Sequence, residues 1–383
     1  MLFKDILGLD HIKQHLTTSA ENGRIAHAQL FIGPEGCGTL SMAIAYAQYV
    51  LCSNSNGEND NGNHACNLKC NAFSHPDLHF AFPVSNSDKV KSHAVSDLFI
   101  EEWRQFLNEQ PYGNLFDWYR LVGIEKKQGQ IGVDEAQDIV KKLSFKSYEG
   151  GYKVMIIWMA EKMNTAAANK LLKLIEEPPE KTVLLLIAEE EEQIINTILS
   201  RCQILHFPPL SENVITHALE QNGLEKSEAF SIAQEANGNY NKALDLVKKD
   251  SEDLIFERWF VQWVRSAFKA KGNKSAIHEL VLWSDELSKM GREVQKQFLN
   301  YCITVMRQAL FLNYNASSLV YIKMHSVNFD LKKFAPFIHE GNILEIVDEI
   351  EKAIYHVERN GNAKVIFTDL SIKLTRLLHA RAA

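Results

Sequence analysis

The stretch FIGPEGCGTLS has the glycine spacing of a phosphate-binding loop but lacks the side chains that hold the phosphates. Gly33, Gly36 and Gly38 follow an apolar run, and Thr39 and Leu40 come next. A P-loop has lysine and then serine or threonine at those two positions. Its backbone amides surround the phosphates, the lysine reaches the outer ones and the hydroxyl binds magnesium. We therefore expect a strand-to-helix turn that binds ATP weakly or not at all.

A second part of a nucleotide site is also incomplete. The apolar run VMIIWM ends just before Ala160 and Glu161. At this place a P-loop ATPase carries two acids that order magnesium and polarise water. Only the second acid is present. Because the lysine, the hydroxyl and the first acid are all missing, the sequence predicts that this chain does not hydrolyse ATP.

Arg201 is the candidate catalytic residue. It lies between a helix-like stretch and the strand-like run QILHF, with Ser200 before it and Cys202 after it. Two interpretations are open. The guanidinium could pair with an acid of the run Glu189–Glu192, which the residues alone favour. It could instead contact the γ-phosphate of a nucleotide bound by a neighbouring subunit, where such an arginine accelerates hydrolysis by about 10³ to 10⁵ fold.

Three cysteines and two histidines have a spacing that could bind zinc, which needs four sulfur or nitrogen ligands. Cys52, Cys66 and Cys70 are close in sequence, and His64 and His75 lie near them. A structural zinc site would use the three cysteines and one of the histidines, and the alternative is a loop without metal. The other cysteines are isolated, and we expect them to be packing residues: Cys37, Cys202 and Cys302.

The composition is that of a globular protein with more than one domain. The chain has 383 residues, of which 46% are hydrophobic and 23% charged. Its net charge of −7 argues against a surface coated with basic residues for nucleic acid, although a local basic face is compatible with it. The sequence contains no apolar stretch of about 18 residues, the length that a membrane span would need. We expect a cytosolic protein whose cysteines are reduced or metal-bound rather than paired.

The first 210 residues alternate apolar runs with helical patterns, which predicts a layered α/β domain. The runs QLFI, VMIIWM and TVLLLIA are continuously apolar, as in strands that are buried on both faces of a parallel sheet. Apolar spacing predicts a helix over residues 165–177. Residues 53–65 are polar and predict an exposed loop. Residues 85–120 predict a partly helical insertion with its own aromatic cluster.

After the FPPL sequence the pattern becomes helical. Residues 211–250 predict a small helical domain, and residues 251–383 predict a third and more strongly helical one. Apolar stripes in this part, such as ILEIVDEIEKAIYHV, are typical of packed helices.

These motifs together resemble the clamp-loader family of the bacterial DNA polymerase III, of the AAA+ class, and among its members most closely the delta-prime type. The resemblance is carried by HAQLFIGPEGCGTLSMAIAYAQYVLC, HPDLHF, NTAAANKLLKLIEEPPEKTVLLLIA and TILSRC. It implies that Arg201, within the Ser-Arg-Cys motif, is an arginine finger acting in trans on a motor subunit. A degenerate ATP site is typical of this type and agrees with Thr39, Leu40 and Ala160.

The same resemblance implies the loss of the nucleotide-sensing residues. Asn241 stands where a motor subunit has a sensor arginine, and the first sensor position falls at Ala188 or Glu189. The zinc module departs from the family, whose members usually have four cysteines. Only Cys52, Cys66 and Cys70 match, so a module over residues 52–75 needs His75 or His64 as its fourth ligand, or has lost zinc.

The resemblance implies an AAA+ domain with a degenerate P-loop over residues 1–210, a lid over 211–250 and an oligomerisation collar over 251–383. Its implied partners are the gamma/tau motor and delta subunits, with the sliding clamp and primer-template DNA reached through the assembled complex. Two alternatives remain. One is an active motor ATPase of the same family, and the other is a zinc-dependent protein that binds nucleic acid through the cysteine loop.

Overall fold

The computed structural model describes residues 1–53, 63–248, 252–322, 324, 326 and 329–380. Most of the predicted polar loop, residues 54–62, lies outside these ranges. The chain forms two compact units, of which the first comprises residues 1–124 and 128–247. The second comprises residues 125–127 and the chain from 248 onward. The division into three domains at 210 and 250 stays a prediction, and residues 211–247 lie in the first unit.

The first unit is built on a parallel five-stranded sheet. In chain order its strands are β1 Ala28–Ile32, β2 Leu78–Ala81, β3 Lys153–Ile157, β4 Thr182–Ala188 and β5 Gln203–His206. Their order across the sheet is β2-β3-β4-β1-β5. Every residue of β1, β3 and β4 is buried, as their continuous apolar runs predict.

Helices cover both faces of this sheet. The helices along this part of the chain are α1 Asp10–Glu21, α2 Thr39–Cys52, α3 His64–Asn71, α4 Ile100–Glu109, α5 Leu115–Leu121, α6 Val133–Ser144, α7 Thr165–Glu176, α8 Asn196–Leu199, α9 Glu212–Gln221, α10 Lys226–Ala236 and α11 Tyr240–Lys248. Phe31 packs in the core on one face, whereas Leu30 and Ile32 pack in the core on the other. The α/β fold class and the helix predicted over residues 165–177 are confirmed.

The inserted segment, residues 85–120, is partly helical as predicted, but its aromatic residues do not form a cluster of their own. Trp103 of α4 stacks on Phe82 with ring centroids 4.1 Å apart and contacts Trp118 of α5 at 5.2 Å. It also lies 5.2 Å from Trp158, the residue after β3. That part of the prediction is wrong because these rings pack against the end of the sheet and extend its core.

The second unit is helical, as predicted. Its helices are α12 Glu252–Lys269, α13 Lys274–Ser288, α14 Arg292–Asn313, α15 Leu331–Phe334, α16 Ile343–Glu358 and α17 Ala363–Leu377. Trp263 and Trp283 stack at 5.2 Å in its core, which confirms that its apolar stripes pack helices together. Within the described residues, no helix has the length and apolar character that crossing a membrane requires.

Candidate functional site

The glycine-rich loop joins β1 to α2, and side chains from elsewhere in the first unit lie against it. Gly36 and Gly38 have φ angles of +70° and +96°, which favour glycine. A Cβ atom at Gly36 would lie 1.9 Å from Oδ1 of Asn239, and one at Gly38 would lie 2.8 Å from the ring of Tyr112. The glycines therefore permit the close approach of these two side chains.

Tyr112 is fixed above the loop. Its hydroxyl accepts a hydrogen bond from the backbone N–H of Leu7 at 2.9 Å, and its ring contacts that of Tyr240 at 5.1 Å. Burial raises the pKa of Tyr112 to about 12, so its hydroxyl is neutral at physiological pH. The loop face next to Gly38 is therefore occupied by a neutral aromatic ring.

Thr39 and Leu40 begin α2 at the positions where a P-loop has its lysine and hydroxyl. Leu40 is buried in the core with an exposed fraction of 5%, and the hydroxyl of Ser41 donates to the backbone oxygen of Pro111 at 2.6 Å. Leu40 therefore packs in the core, and Ser41 is hydrogen-bonded to the inserted segment.

Three carboxyl groups gather near the loop. Burial raises the pKa values of Glu35, Glu161 and Glu189, and the carboxyl groups of Glu35 and Glu161 raise that of Glu189 further. Glu161 follows β3 and accepts a hydrogen bond from the backbone N–H of Glu189 at 3.2 Å. An anionic phosphate would meet carboxyl groups here instead of a lysine, which disfavours nucleotide binding.

Arg201 lies between α8 and β5, with 34% of its side chain exposed. Its Nε atom lies 3.2 Å from a carboxylate oxygen of Glu176, and Nη1 donates to the backbone oxygen of Thr197 at 3.0 Å. Nη1 also lies 3.2 Å from the Ser200 hydroxyl. The arginine is thus paired at the surface, but with Glu176 and not with an acid of the run Glu189–Glu192.

Arg201 and the glycine-rich loop lie at opposite ends of two neighbouring parallel strands, β5 and β1. Gln203 at the start of β5 pairs with Gln29, and His206 at its end pairs with Ile32, after which the loop begins. Arg201 precedes Gln203, so the two sites are separated by a strand length of about 10 Å, at about 3.3 Å per residue. The guanidinium therefore lies too far from this chain's own loop to contact a phosphate bound there.

The predicted sensor positions are occupied by side chains with internal roles. Asn241 is buried, and its amide donates to a carboxylate oxygen of Asp117 at 2.8 Å. Ala188 is the buried last residue of β4, and Glu189 follows it. The Asn241 amide is therefore used to join α11 to α5.

The cysteine cluster forms where α2 ends and α3 begins, but the structure corrects one expectation about it. Cys52 and Cys66 form a disulfide, although the composition favoured unpaired cysteines. The Sγ atom of Cys70 lies 3.8 Å from that of Cys52. The convergence that would suit a metal also brings two sulfur atoms within bonding distance, which explains the difference. Burial raises the pKa of the free Cys70 thiol to about 12.

His75, not His64, lies beside the cysteine cluster. His75 is buried, and one of its ring nitrogens lies within 4.8 Å of both the Cys66 sulfur and a Glu149 carboxylate oxygen. His64 is exposed at the start of α3. Cys66 is shared between the group of three cysteines and the group with His75 and Glu149. Once the disulfide is reduced, three thiols and the His75 imidazole match the ligand types of a structural zinc site. Lys69, the main basic residue of this segment, contacts Glu149.

The sequence did not reveal that four residues form the contacts at the loop: Glu35, Tyr112, Asn114 and Asn239. Three of them lie far from the loop in sequence, and no local pattern links them to it. The one available signal was Glu35 itself, because an acid inside a phosphate-binding loop would repel the ligand.

Comparisons with known proteins agree with this architecture. A family model described as DNA polymerase III, delta subunit, matches residues 8–211, which is more than half of the chain. The delta′ subunit of DNA polymerase III from Bacillus subtilis is 28% identical over 61% of this chain and 58% of its own length. The tau subunit from the same organism is 23% identical over 100% of this chain and 62% of its own length.

A third relative aligns with this chain over nearly the whole length of both proteins. The delta′ subunit of DNA polymerase III from Escherichia coli is 23% identical over 95% of this chain and 93% of its own length. The chain thus spans less than two thirds of the two Bacillus subtilis relatives and almost all of this one.

Proposed function

The chain belongs to the DNA polymerase III delta-subunit family, and we propose that it is a clamp-loader subunit of the delta-prime type that completes a neighbour's ATP site with Arg201. In this proposal the chain does not hydrolyse ATP. Its guanidinium contacts the γ-phosphate of a nucleotide that an adjacent motor subunit binds. An arginine in that place stabilises the charge that develops during phosphoryl transfer.

The observation that carries the proposal is the position of Arg201 relative to the loop. The arginine is partly exposed at the amino end of β5, while the glycine-rich loop lies at the carboxyl end of the neighbouring strand β1. A nucleotide held in this chain's own loop would lie at the other end of the strands, which favours a phosphate bound by a neighbouring subunit as the partner of Arg201. The pair with Glu176 is at the surface, where ion pairs contribute about 0 to 1 kcal/mol, so the guanidinium can exchange that carboxylate for a phosphate.

The absence of ATP hydrolysis is supported by the chemistry of the loop. Thr39 supplies no positive charge, and Leu40 faces the core instead of magnesium. Near the loop, Glu35, Glu161 and Glu189 supply carboxyl groups where a P-loop ATPase has a lysine, so none of them can offer the positive charge that a phosphate needs. In the proposal the chain therefore acts as a fixed partner and takes no part in its own nucleotide cycle.

The partners follow from the proposed role. The chain would assemble with gamma/tau motor subunits and a delta subunit through its helical second unit. The assembled complex would place the sliding clamp on primer-template DNA, and this work would take place in the cytosol, where the chromosome is replicated.

Zinc is a separate part of the proposal and concerns the reduced chain. The thiolates of Cys52, Cys66 and Cys70 would supply three ligands and His75 the fourth. Such a site would be structural, because four protein ligands leave no position for a substrate. In the oxidised chain the Cys52–Cys66 disulfide removes two of these ligands.

The proposal is tested by measuring ATP hydrolysis and clamp loading by the complex reconstituted with an Arg201→Ala chain. The variant should assemble normally and hydrolyse ATP more slowly, because the side chain is at the surface and contributes little to folding. Unchanged hydrolysis and loading by an intact complex would refute it.

A further inference from the structure

One carboxylate joins the glycine-rich loop to two distant segments of the first unit. Oε1 of Glu35 accepts hydrogen bonds from the side-chain amide of Asn114 at 3.1 Å and from that of Asn239 at 2.9 Å. Asn114 begins α5 in the inserted segment, and Asn239 directly precedes α11. Glu35 therefore connects three pieces of chain that are far apart in sequence.

Backbone and side-chain contacts beside Glu35 join the same three pieces. The backbone N–H of Tyr240 donates to the backbone oxygen of Gly36 at 3.1 Å. Asn241 donates to Asp117 at 2.8 Å, which links α11 directly to α5. Asn239 and Tyr240 thus lie directly against Gly36, and Tyr112 lies against Gly38.

We propose that Glu35 is an internal clasp, whose carboxylate holds the inserted segment and the start of α11 on the glycine-rich loop without a bound nucleotide. Hydrogen bonds to an ionised acceptor are roughly twice as strong as those between neutral groups. Burial raises the pKa of Glu35, and the two amide hydrogen bonds oppose that rise by favouring the ionised form. Because the acceptor is part of the loop, the contact needs no ligand.

The clasp proposal is tested by hydrogen exchange on the full chain, in segments 111–117 and 239–247. Glu35→Ala removes the acceptor, so amides in both segments should exchange at least about tenfold faster than in the parent chain. Glu35→Gln keeps a carbonyl oxygen that can accept from both asparagines but loses the charge, so its exchange should fall between that of the parent and that of Glu35→Ala. Glu192→Ala, which removes an exposed acid, is the matched control and should change neither segment.

A donor–acceptor exchange provides the second arm of the test. Asn239→Asp keeps the side-chain oxygen that accepts from the Lys242 N–H, but it places a carboxylate where the amide donated to Glu35. This variant should speed exchange in segment 239–247. Adding Glu35→Gln restores a donor opposite that carboxylate, so the double variant should recover slow exchange. If Glu35→Ala fails to fold, the comparison of Asn239→Asp with the double variant tests the proposal by itself.

Two results would overturn the clasp. One is unchanged exchange in both segments of a folded Glu35→Ala chain. The other is equally fast exchange in Asn239→Asp and the double variant. The measurement uses the isolated chain, so the clasp can fail while the proposal for Arg201 stands, and the reverse is also true.

Discussion

The Nε atom of Arg201 lies 3.2 Å from a carboxylate oxygen of Glu176, the last residue of α7, and both side chains are partly exposed. The pair leaves the guanidinium at the surface, close to the end of α8. A surface pair of this kind is weak enough to be replaced by a stronger contact with phosphate.

We therefore predict that Glu176→Gln has little effect on the assembled complex. The substitution removes the negative charge but keeps the shape, so the stability of the chain should change by less than about 1 kcal/mol. The rate of ATP hydrolysis by the complex should stay within about twofold of the parent, because Glu176 does not contact the phosphate in this account. A large loss of hydrolysis in a normally assembled complex would show that Glu176 positions Arg201.

Restoring the missing P-loop residues should not restore ATP binding. Thr39→Lys returns the positive charge, yet Tyr112 still lies against Gly38, and the carboxyl groups of Glu35, Glu161 and Glu189 remain near the loop. We expect a Kd for ATP weaker than about 1 mM by calorimetry, which corresponds to about −4 kcal/mol. The variant Thr39→Lys/Leu40→Thr should behave in the same way if circular dichroism shows that it folds. Micromolar binding by either variant would contradict the description of the loop.

The buried carboxyl group of Glu135 should make stability depend on pH. Its Oε2 atom accepts a hydrogen bond from the backbone N–H of Ser96 at 2.6 Å, and burial raises its pKa from 4.5 to about 7. Because the folded pKa is higher than the unfolded one, ionisation costs stability as the pH rises from about 4.5 to 7. The full penalty, about 3 kcal/mol at about 1.4 kcal/mol per pKa unit, is present above that range.

Glu135→Gln removes this ionisation and keeps an acceptor for Ser96. Its free energy of unfolding relative to the parent should therefore increase between pH 4.5 and 8, as measured by urea denaturation across that range. Glu101→Gln, which neutralises an exposed acid, is the control and should show a nearly constant difference. A constant difference for Glu135→Gln as well would mean that its carboxyl group titrates normally in the folded chain.

Metal content should depend on the oxidation state of the cysteine cluster. The reduced chain should bind about one zinc ion, and the oxidised chain none, because the disulfide removes two sulfur ligands. His75→Ala should weaken zinc binding, whereas His64→Ala should not, since His75 is buried near the Cys66 sulfur and His64 is exposed. Elemental analysis after reduction and dialysis measures both effects, with Cys202→Ser as the cysteine control. A reduced parent chain without zinc would disprove this site.

The sheet was predictable where burial is continuous and local. β1, β3 and β4 are buried on both faces, and their sequences are apolar apart from Gln29, Lys153 and Thr182. β2 escaped prediction because it has only four residues and includes the polar His79. The helix α7 was predictable because its apolar positions repeat at helical spacing and two prolines follow it.

The candidate site was predictable only where its chemistry lies within one motif. Ser200, Arg201 and Cys202 are adjacent, but the partner of Arg201, Glu176, comes from another helix. The contacts of Glu35 depend on Asn114 and Asn239, which only the fold brings together. Likewise, the sequence indicated that the cysteines gather, but the distances between sulfur atoms that allow a disulfide are a property of the folded chain.

The most direct test of the central claim is the rate of ATP hydrolysis by the reconstituted complex with Arg201→Ala, Arg201→Lys or the control Arg24→Ala. Arg24 is likewise exposed, but it has no proposed contact with nucleotide. The account predicts normal assembly of all three, and a fall of about 10³ fold or more in hydrolysis at the adjacent site for Arg201→Ala. Arg201→Lys should not rescue it, because an ammonium group lacks the planar fork of guanidinium. Parent-like hydrolysis and clamp loading by the intact Arg201→Ala complex would contradict the account.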